Sequence, residues 1–501
     1  MASRELVDIG REVYQHIEEM DEDFVVVGEN GEVNLIAAIP GQMIKIREDQ
    51  VQNSAGGYVF AVNDENRIRR FLILGTSGGT YYSSEKELTL DNVKALENII
   101  LRGRGSLILD EIRDISLAGR SPKQDPTMLA LALCARFRVH DVDKKASKAT
   151  KFYSLYLKQL QKDAFTLVNE VCRIPTHLFS FVKYCELVSK RGFEGNNKST
   201  GWGRLTRAVI SHWYTSRTPE QLALHMTKYV QRDGWSHRDL LRLSHPKLKQ
   251  PNLEMEQLFH FAVKGALNPR KRRLPEGSEE AVAAKAKYSE DQIAKEDQSK
   301  ALDLIEAFLQ LKTTKDEQQA LEGIRTLGLV REHMPTELLN STTIWEALLE
   351  KMPMTAMIRN LGKMQSMDML NGEHEARVIQ NLTDPAKLKS ARIHPISVLL
   401  AKATYDKGRG DKGSLTWNPK EFISAALEDA FYKAFVNVQP TGKRFCLAFD
   451  VSASMTWCKI SGTNVTPREA AAAVGLVTVK TEPNVECMAF CHKFKKLPYD
   501  K

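Results

Sequence analysis

The stretch IPTHLFSFVKYCELVSKRG (Ile174–Gly192) reads as one helix with both ends marked. Its proline stands in the first turn, where a backbone N–H needs no partner, and its glycine stops the run. Phe179, Val182 and Leu187 are expected on the inward face. The same grammar recurs downstream. Asn418-Pro419 with Glu421 reads as an N-cap, a first-turn proline and an N3 acid. Phe422, Ala426, Ala430 and Phe431, then Ala434 and Phe435, follow as one apolar stripe. Pro335, Pro353 and Pro395 punctuate further helices. Helices at short spacing with polar connectors predict paired-helix stacking, an α-solenoid or a closed relative of one. No fixed-period repeat is visible, so the repetition is expected in structure only.

Near Lys443 the pattern changes. Phe445–Phe449 is an apolar strand running into Asp450-Val451-Ser452-Ala453-Ser454, followed by a helix over about 467–480 and a strand over Val485–Phe490. Strand, loop, helix, strand opens a parallel α/β sheet. Ligand-binding groups in such sheets lie at the carboxyl ends of strands, where the Asp450 loop falls.

The 501 residues allow two or three domains, and 42% hydrophobic with 27% charged residues is ordinary for a globular chain. There is no apolar run long enough for a membrane span and no basic-then-apolar N-terminal signal. Seven scattered cysteines make neither a paired CxxC zinc pattern nor a disulfide framework, which favours reduced thiols. The net charge of +8 hides a segregation. Residues 1–50 carry 4 Lys/Arg against 12 Asp/Glu, a net of −8, with apolar patches at Phe24–Val27 and Leu35–Ile39. Residues 201–250 carry 9 Lys/Arg against 3 Asp/Glu, a net of +6. Residues 141–163 and 268–300 read as insertions or linkers. In the second, Arg270–Arg273 is a nuclear-import signal, a further phosphate contact or simply an exposed linker.

The basic segment interleaves its cations with aromatics. Arg204 and Arg207 follow Trp202, while Lys228 and Arg232 lie four apart, a spacing that shares one helix face. Arg238 and Arg242 repeat that spacing, between Trp235 and His245. A cationic face neutralises phosphates, and Trp, Tyr and His rings stack on unpaired bases. The plainer alternative is a solvated helix face, with Trp213 serving as core. Asp450, Ser452 and Ser454 put one carboxylate and two hydroxyls on a tight loop, hard donors suited to Mg²⁺ or a similar divalent ion. Otherwise the serines merely cap the next helix. Gly75–Thr80 lacks the Lys-Ser/Thr ending of a phosphate-binding loop. HExxH and a nucleophile elbow are absent, and His177, His225 and His374 have no ligand partners at useful spacing, so no enzyme is expected.

GGTYY (78–82), EVCRIPTHLF (170–179), GWSHRDLLRLSH (234–245), LVREH (329–333), RNLGKM (359–364), ARIHP (391–395) and PTGKRF with DVSASM (440–455) closely resemble the Ro autoantigen family. These are the TROVE-domain RNA-binding proteins of the Ro ribonucleoprotein, and the resemblance covers about residues 51–501. It implies a mainly α fold: a ring of HEAT-like helical repeats over 51–443, behind an acidic extension at 1–50. A von Willebrand factor A-type α/β domain over 444–501, short at its C-terminal end, completes it. It further implies binding of small noncoding Y RNAs, and of misfolded RNAs with single-stranded 3′ ends, in RNA quality control. By motif the RNA contacts fall on Lys228, Arg232 and His245, with Arg173 in the same region, and the metal loop on Asp450, Ser452 and Ser454.

Three departures accompany the resemblance. The acidic residues 1–50 have no recognised counterpart, residues 141–163 look inserted, and the chain stops about 60 residues into a domain type of more than about 100. The family's later metal ligands would lie beyond Lys501, so the Mg²⁺ site is expected to be incomplete. The resulting expectation is a monomeric, cytoplasmic RNA-binding protein with a nuclear fraction and no membrane partner. The competing reading is a protein-binding scaffold that grips partners through the A-type domain.

Overall fold

The computed structural model describes residues 44–53, 56–75, 85–121, 123–138, 148–191, 200–270, 273–410, 414–460 and 463–497. The acidic stretch to residue 43, the GGTYY run and the lysine-rich residues 141–147 lie outside them. The described residues form two compact units that divide between Met334 and Pro335.

The first unit starts with an antiparallel hairpin, β1 (Gln50–Gln52) and β2 (Tyr58–Phe60). Helices α1 (Asp64–Leu74), α2 (Glu85–Leu101), α3 (Gly105–Leu117) and α4 (Asp125–Arg136) follow. Next come α5 (Lys148–Val171), α6 (Pro175–Arg191), α7 (Arg204–Thr215) and α8 (Pro219–Lys228). A second hairpin, β3 (Gln231–Arg232) and β4 (Trp235–Ser236), leads to α9 (His237–Ser244) and α10 (Leu253–Lys264). The unit continues through α11 (Glu279–Lys287), α12 (Glu290–Asp297), α13 (Lys300–Thr314) and α14 (Glu317–Glu322). Most helices pack on neighbours one to three places along the chain, α4 against α5 and α6, α3 against α5, and α9 against α10, while α8 packs against α13, five places on.

Helix α6 starts at the proline, as its sequence predicts, and buries Phe179 and Val182. Leu187 is instead 50% exposed, because the buried face runs through Leu178, Phe181, Val182, Cys185 and Ser189, two residues out of phase with it. The insertion expected over 141–163 is, from Lys148 on, the first part of α5. Tyr156 there accepts a hydrogen bond from the Gly105 N–H at 2.7 Å, and Gln161 donates to the Phe137 carbonyl. Residues 268–300 are no linker either. Helices α11 and α12 occupy them, and Arg270 is only 2% exposed. Its guanidinium pairs with Asp303 and Glu306 and donates to the Asp297 carbonyl, so it reaches neither phosphate nor import receptor.

In the second unit, α15 (Thr342–Glu350), α16 (Met354–Ser366), α17 (Gly372–Leu382), α18 (Pro385–Ser390), α19 (Pro395–Asp406) and α20 (Glu421–Lys433) share one core. Lys420, not Asn418, is the N-cap of α20. Its buried stripe is Ile423, Ala426, Leu427, Ala430, Phe431 and Ala434, and Phe422 faces outward, 70% exposed. Strand β5 (Arg444–Asp450), helix α21 (Pro467–Thr481) and strand β6 (Asn484–Phe490) make the expected parallel unit, with β7 (Phe494–Lys496) antiparallel on β6. Gly475 lets α21 lie flat on the sheet: a Cβ there would sit 2.3 Å from a Phe449 ring carbon. No helix among the described residues is long and apolar enough to cross a membrane.

Candidate nucleic-acid interface

The basic segment folds as helix, hairpin, helix. Thr218 and Gln221 form a capping box that starts α8, and the helix ends at Lys228. Arg232 therefore does not share a helix face with Lys228, as the four-residue spacing predicts. It sits on β3, beside the two-residue turn Asp233-Gly234, whose φ angles are +56° and +81°. Asp-Gly is the pair that such a turn demands, and this signal, legible in the sequence, overrides the helical spacing. Ser236 and Asp239 then cap α9, which ends at His245 in the left-handed conformation.

The hairpin is anchored from α6. The Asp233 carboxylate accepts from Ser180 Oγ at 2.6 Å and from Lys183 Nζ at 2.9 Å. Partial burial disfavours its charge, but those two hydrogen bonds outweigh it and hold the carboxyl below its usual pKa. Arg232 Nε lies 3.6 Å from Asp233, and its Nη2 lies 3.9 Å from Asp125 at the start of α4. Lys228 Nζ lies 3.8 Å from Glu332. These distances exceed a hydrogen bond, so both cations are loosely balanced rather than locked. Asp125, Lys183, Asp233 and Glu332 escape a sequence reading because they come together across 50 to 100 residues of chain; only the Asp-Gly turn announces any of them.

Arg173 and Arg232 both bear on His177. Burial drives that imidazole down to about 4, and the two cations push the same way. Arg173 is exposed, with Nη1 donating to the Ser116 carbonyl. Lys228 lies by His225 and His333 and depresses both after burial has done most of the work, each reaching about 4. Arg204 and Arg207 are exposed on the first turn of α7, and Arg238 and Arg242 on α9. His245 is exposed at the far end of α9, about 12 Å along the helix from the hairpin. Thus Arg173 and Arg232 both act on His177, Lys228 acts on His225 and His333, and Arg204, Arg207 and His245 stand exposed on α7 and at the end of α9.

Two members of the basic segment are structural. Trp213 is 0% exposed, and its indole N–H donates to the Cys172 carbonyl at 2.6 Å. Arg217 lies over that ring, 3.5 Å from its centroid, and donates to the carbonyls of Trp213 and Cys172. Desolvation pulls its pKa to about 10, and its guanidinium is taken up by the two carbonyls and the ring.

His177, His225, His237 and His333 are all held near pKa 4, chiefly by burial. The unfolded chain takes up these protons near pH 6.5. It therefore binds more protons than the native state between about pH 6.5 and 4, and stability drops as pH falls through that window. The urea midpoint is expected to be lower at pH 5 than at pH 7; equal midpoints would mean that the imidazoles accept protons in place.

The Asp450 loop stands where the sequence puts it, at the carboxyl end of β5. Asp450 Oδ1 accepts from the Ser452 N–H at 2.9 Å and from Ser452 Oγ at 2.5 Å, and Ser454 lies in the exposed turn Ala453–Thr456. One carboxylate and two hydroxyls are half of what a divalent ion takes, so water would have to fill the rest of its shell. Among the described residues no group of three or more His, Cys, Asp or Glu could hold a metal.

The TROVE domain family matches residues 51–404, and the Ro60 vWA domain family matches residues 444–501. The RNA-binding protein RO60 of Caenorhabditis elegans is 48% identical over 481 residues, spanning 92% of this chain and 75% of its own length. Its counterpart in Deinococcus radiodurans is 33% identical over 460 residues, spanning 91% and 76%. The crystal structure of the Deinococcus radiodurans RO (RSR) protein superposes with a TM-score of 0.64 at 32% identity, covering 87% of this chain and 76% of that one.

Proposed function

Because this chain belongs to the TROVE-domain family of RNA-binding proteins, we propose that it binds small noncoding RNAs of the Y type and misfolded RNAs with single-stranded 3′ ends. In this role it works as a monomeric ribonucleoprotein component in RNA quality control. The observation that carries the reading is the clamped hairpin after α8, which presents Arg232 four residues beyond Lys228, each cation paired only at 3.6 to 3.9 Å. Arg204, Arg207 and His245 add exposed groups on α7 and at the end of α9. Partly exposed cations held by carboxylates at 3.6 to 3.9 Å give them up to phosphate at little cost.

The test is titration of a labelled stem-loop RNA, with and without a single-stranded 3′ tail, across a series of salt concentrations. Neutralising three phosphates predicts a logarithmic salt slope of about −2, from about −0.7 per single-stranded phosphate. The tailed RNA is expected to bind more tightly than the blunt one. A flat salt response, or equal affinity for both, would remove the reading. Asp450, Ser452 and Ser454 would hold Mg²⁺ only weakly and supply nothing to these contacts. The titrations in Mg²⁺ and in EDTA are accordingly expected to coincide. A scaffold role remains the second reading, favoured by Trp457, which is 80% exposed just after the Asp450 loop. It predicts protein partners that survive ribonuclease treatment.

A further inference from the structure

We propose that Trp202 and Trp235 form a stacking subsite for an unpaired nucleobase, next to the phosphate contact at Arg232. The proposal rests on the RNA-binding reading and adds to it the class of group recognised there.

The two rings lie 5.5 Å apart at 48°, and both side chains are only half-buried. Trp213, eleven residues from Trp202, shows what a core tryptophan does in this unit: it is sealed, with its N–H on a carbonyl. Trp202 and Trp235 instead keep part of their ring surface open. Trp235 is the direct cross-strand partner of Arg232, so the two side chains rise from the same face of the ribbon. A phosphate held at Arg232 thus brings its own base toward an aromatic surface. Trp202 immediately precedes the turn of α7 that carries Arg204 and Arg207, so cations flank the pair on both sides.

The rings are also held in place beforehand. The Asp233 anchors fix the hairpin to Ser180 and Lys183 of α6. On the Trp202 side, the Gly201 carbonyl accepts from Thr206 Oγ1 at 2.9 Å. Gly201 itself has φ +82° and packs so closely on α6 that a Cβ would lie 3.4 Å from the Cys185 carbonyl and the Glu186 backbone. Both rings therefore hang from the same helix, and little ordering remains to be paid when a base enters. Stacking of this kind tolerates any base, because every base has a π face.

The experiment compares the full chain with Trp235→Phe, Trp235→Leu and Trp202→Leu variants. Each is titrated with a stem-loop RNA bearing a normal 3′ tail and with the same RNA bearing an abasic tail. The leucine variants are expected to lose about tenfold in affinity for the normal tail and nothing for the abasic one. Phe at 235 should keep most of the affinity. Equal losses on both tails, or no loss, would show that the rings only pack. As a check free of folding effects, an iodouridine tail photo-crosslinked to the unaltered protein should mark Trp202 or Trp235. Cross-links confined to other peptides would overturn the subsite. Failure of the RNA reading is a separate result, seen as absent or salt-independent binding by the unaltered protein.

Discussion

A Lys228→Ala/Arg232→Ala/His245→Ser variant is expected to bind a tailed stem-loop RNA about a hundredfold more weakly than the unaltered chain at moderate salt. A charge-assisted contact contributes about 1.5–3 kcal/mol, and two such contacts less the loss of their internal pairs come to about 3 kcal/mol. At about 1.4 kcal/mol per tenfold this is two orders of magnitude. The internal pairs subtract little, because Glu332 and Asp125 stand 3.8 and 3.9 Å from their cations in partly exposed positions. The salt slope should shrink as well, by about 1.4 for the two lost cations. That second readout separates a phosphate role from a packing role, since a packing defect would weaken binding at every salt concentration equally. An unchanged slope would take Lys228 and Arg232 out of the interface and move attention to Arg204 and Arg207. The variant should lose little of its urea midpoint, since Arg232 and His245 are exposed and Lys228 is partly exposed with its one ion pair at 3.8 Å.

The second large effect is on stability. Trp213→Ala is expected to destabilise the chain by about 4 kcal/mol, the usual cost of deleting a buried large aromatic. Two further losses bear on the same spot. The Cys172 carbonyl forfeits its indole donor, and the Arg217 guanidinium loses the ring it lies on. A desolvated cation left above a cavity adds to the cost, as its depressed pKa of about 10 indicates. Trp213→Phe restores the ring face but not the N–H, and should recover more than half of the loss. Urea unfolding followed by helical circular dichroism reads both. A Trp213→Ala midpoint within error of the unaltered chain would mean that α7 is not held through this contact. Because α7 also carries Arg204 and Arg207, RNA affinity should be compared only where both variants are folded.

Much of the fold was legible because its signals are local. Prolines at the starts of α6 and α19 mark helix ends within four residues of chain. The strand–loop–helix–strand at 444–490 declared itself by period and composition in the same way. Four of the errors share one cause. Asn418 as an N-cap, Phe422 and Leu187 as inward residues, and Lys228 with Arg232 on one helix each took a spacing as decisive where a neighbour or a turn was.

The charge segregation, the interleaved aromatics and the motif runs by themselves determined that this is a mainly helical protein with a cationic face and an α/β end. What only the tertiary structure decided is which cations are available. Arg217 and Arg270 look no different in sequence from Arg204 and Arg207, yet the first two are spent inside, on the Cys172 carbonyl just past α5 and on carbonyls and carboxylates of α12 and α13. Likewise Trp213 is sealed while Trp202 and Trp235 stay half-open. Charge and ring type are written residue by residue. Desolvation depends on what packs over them, and those elements come from 40 or more residues away in the cases of Trp213 and Arg217.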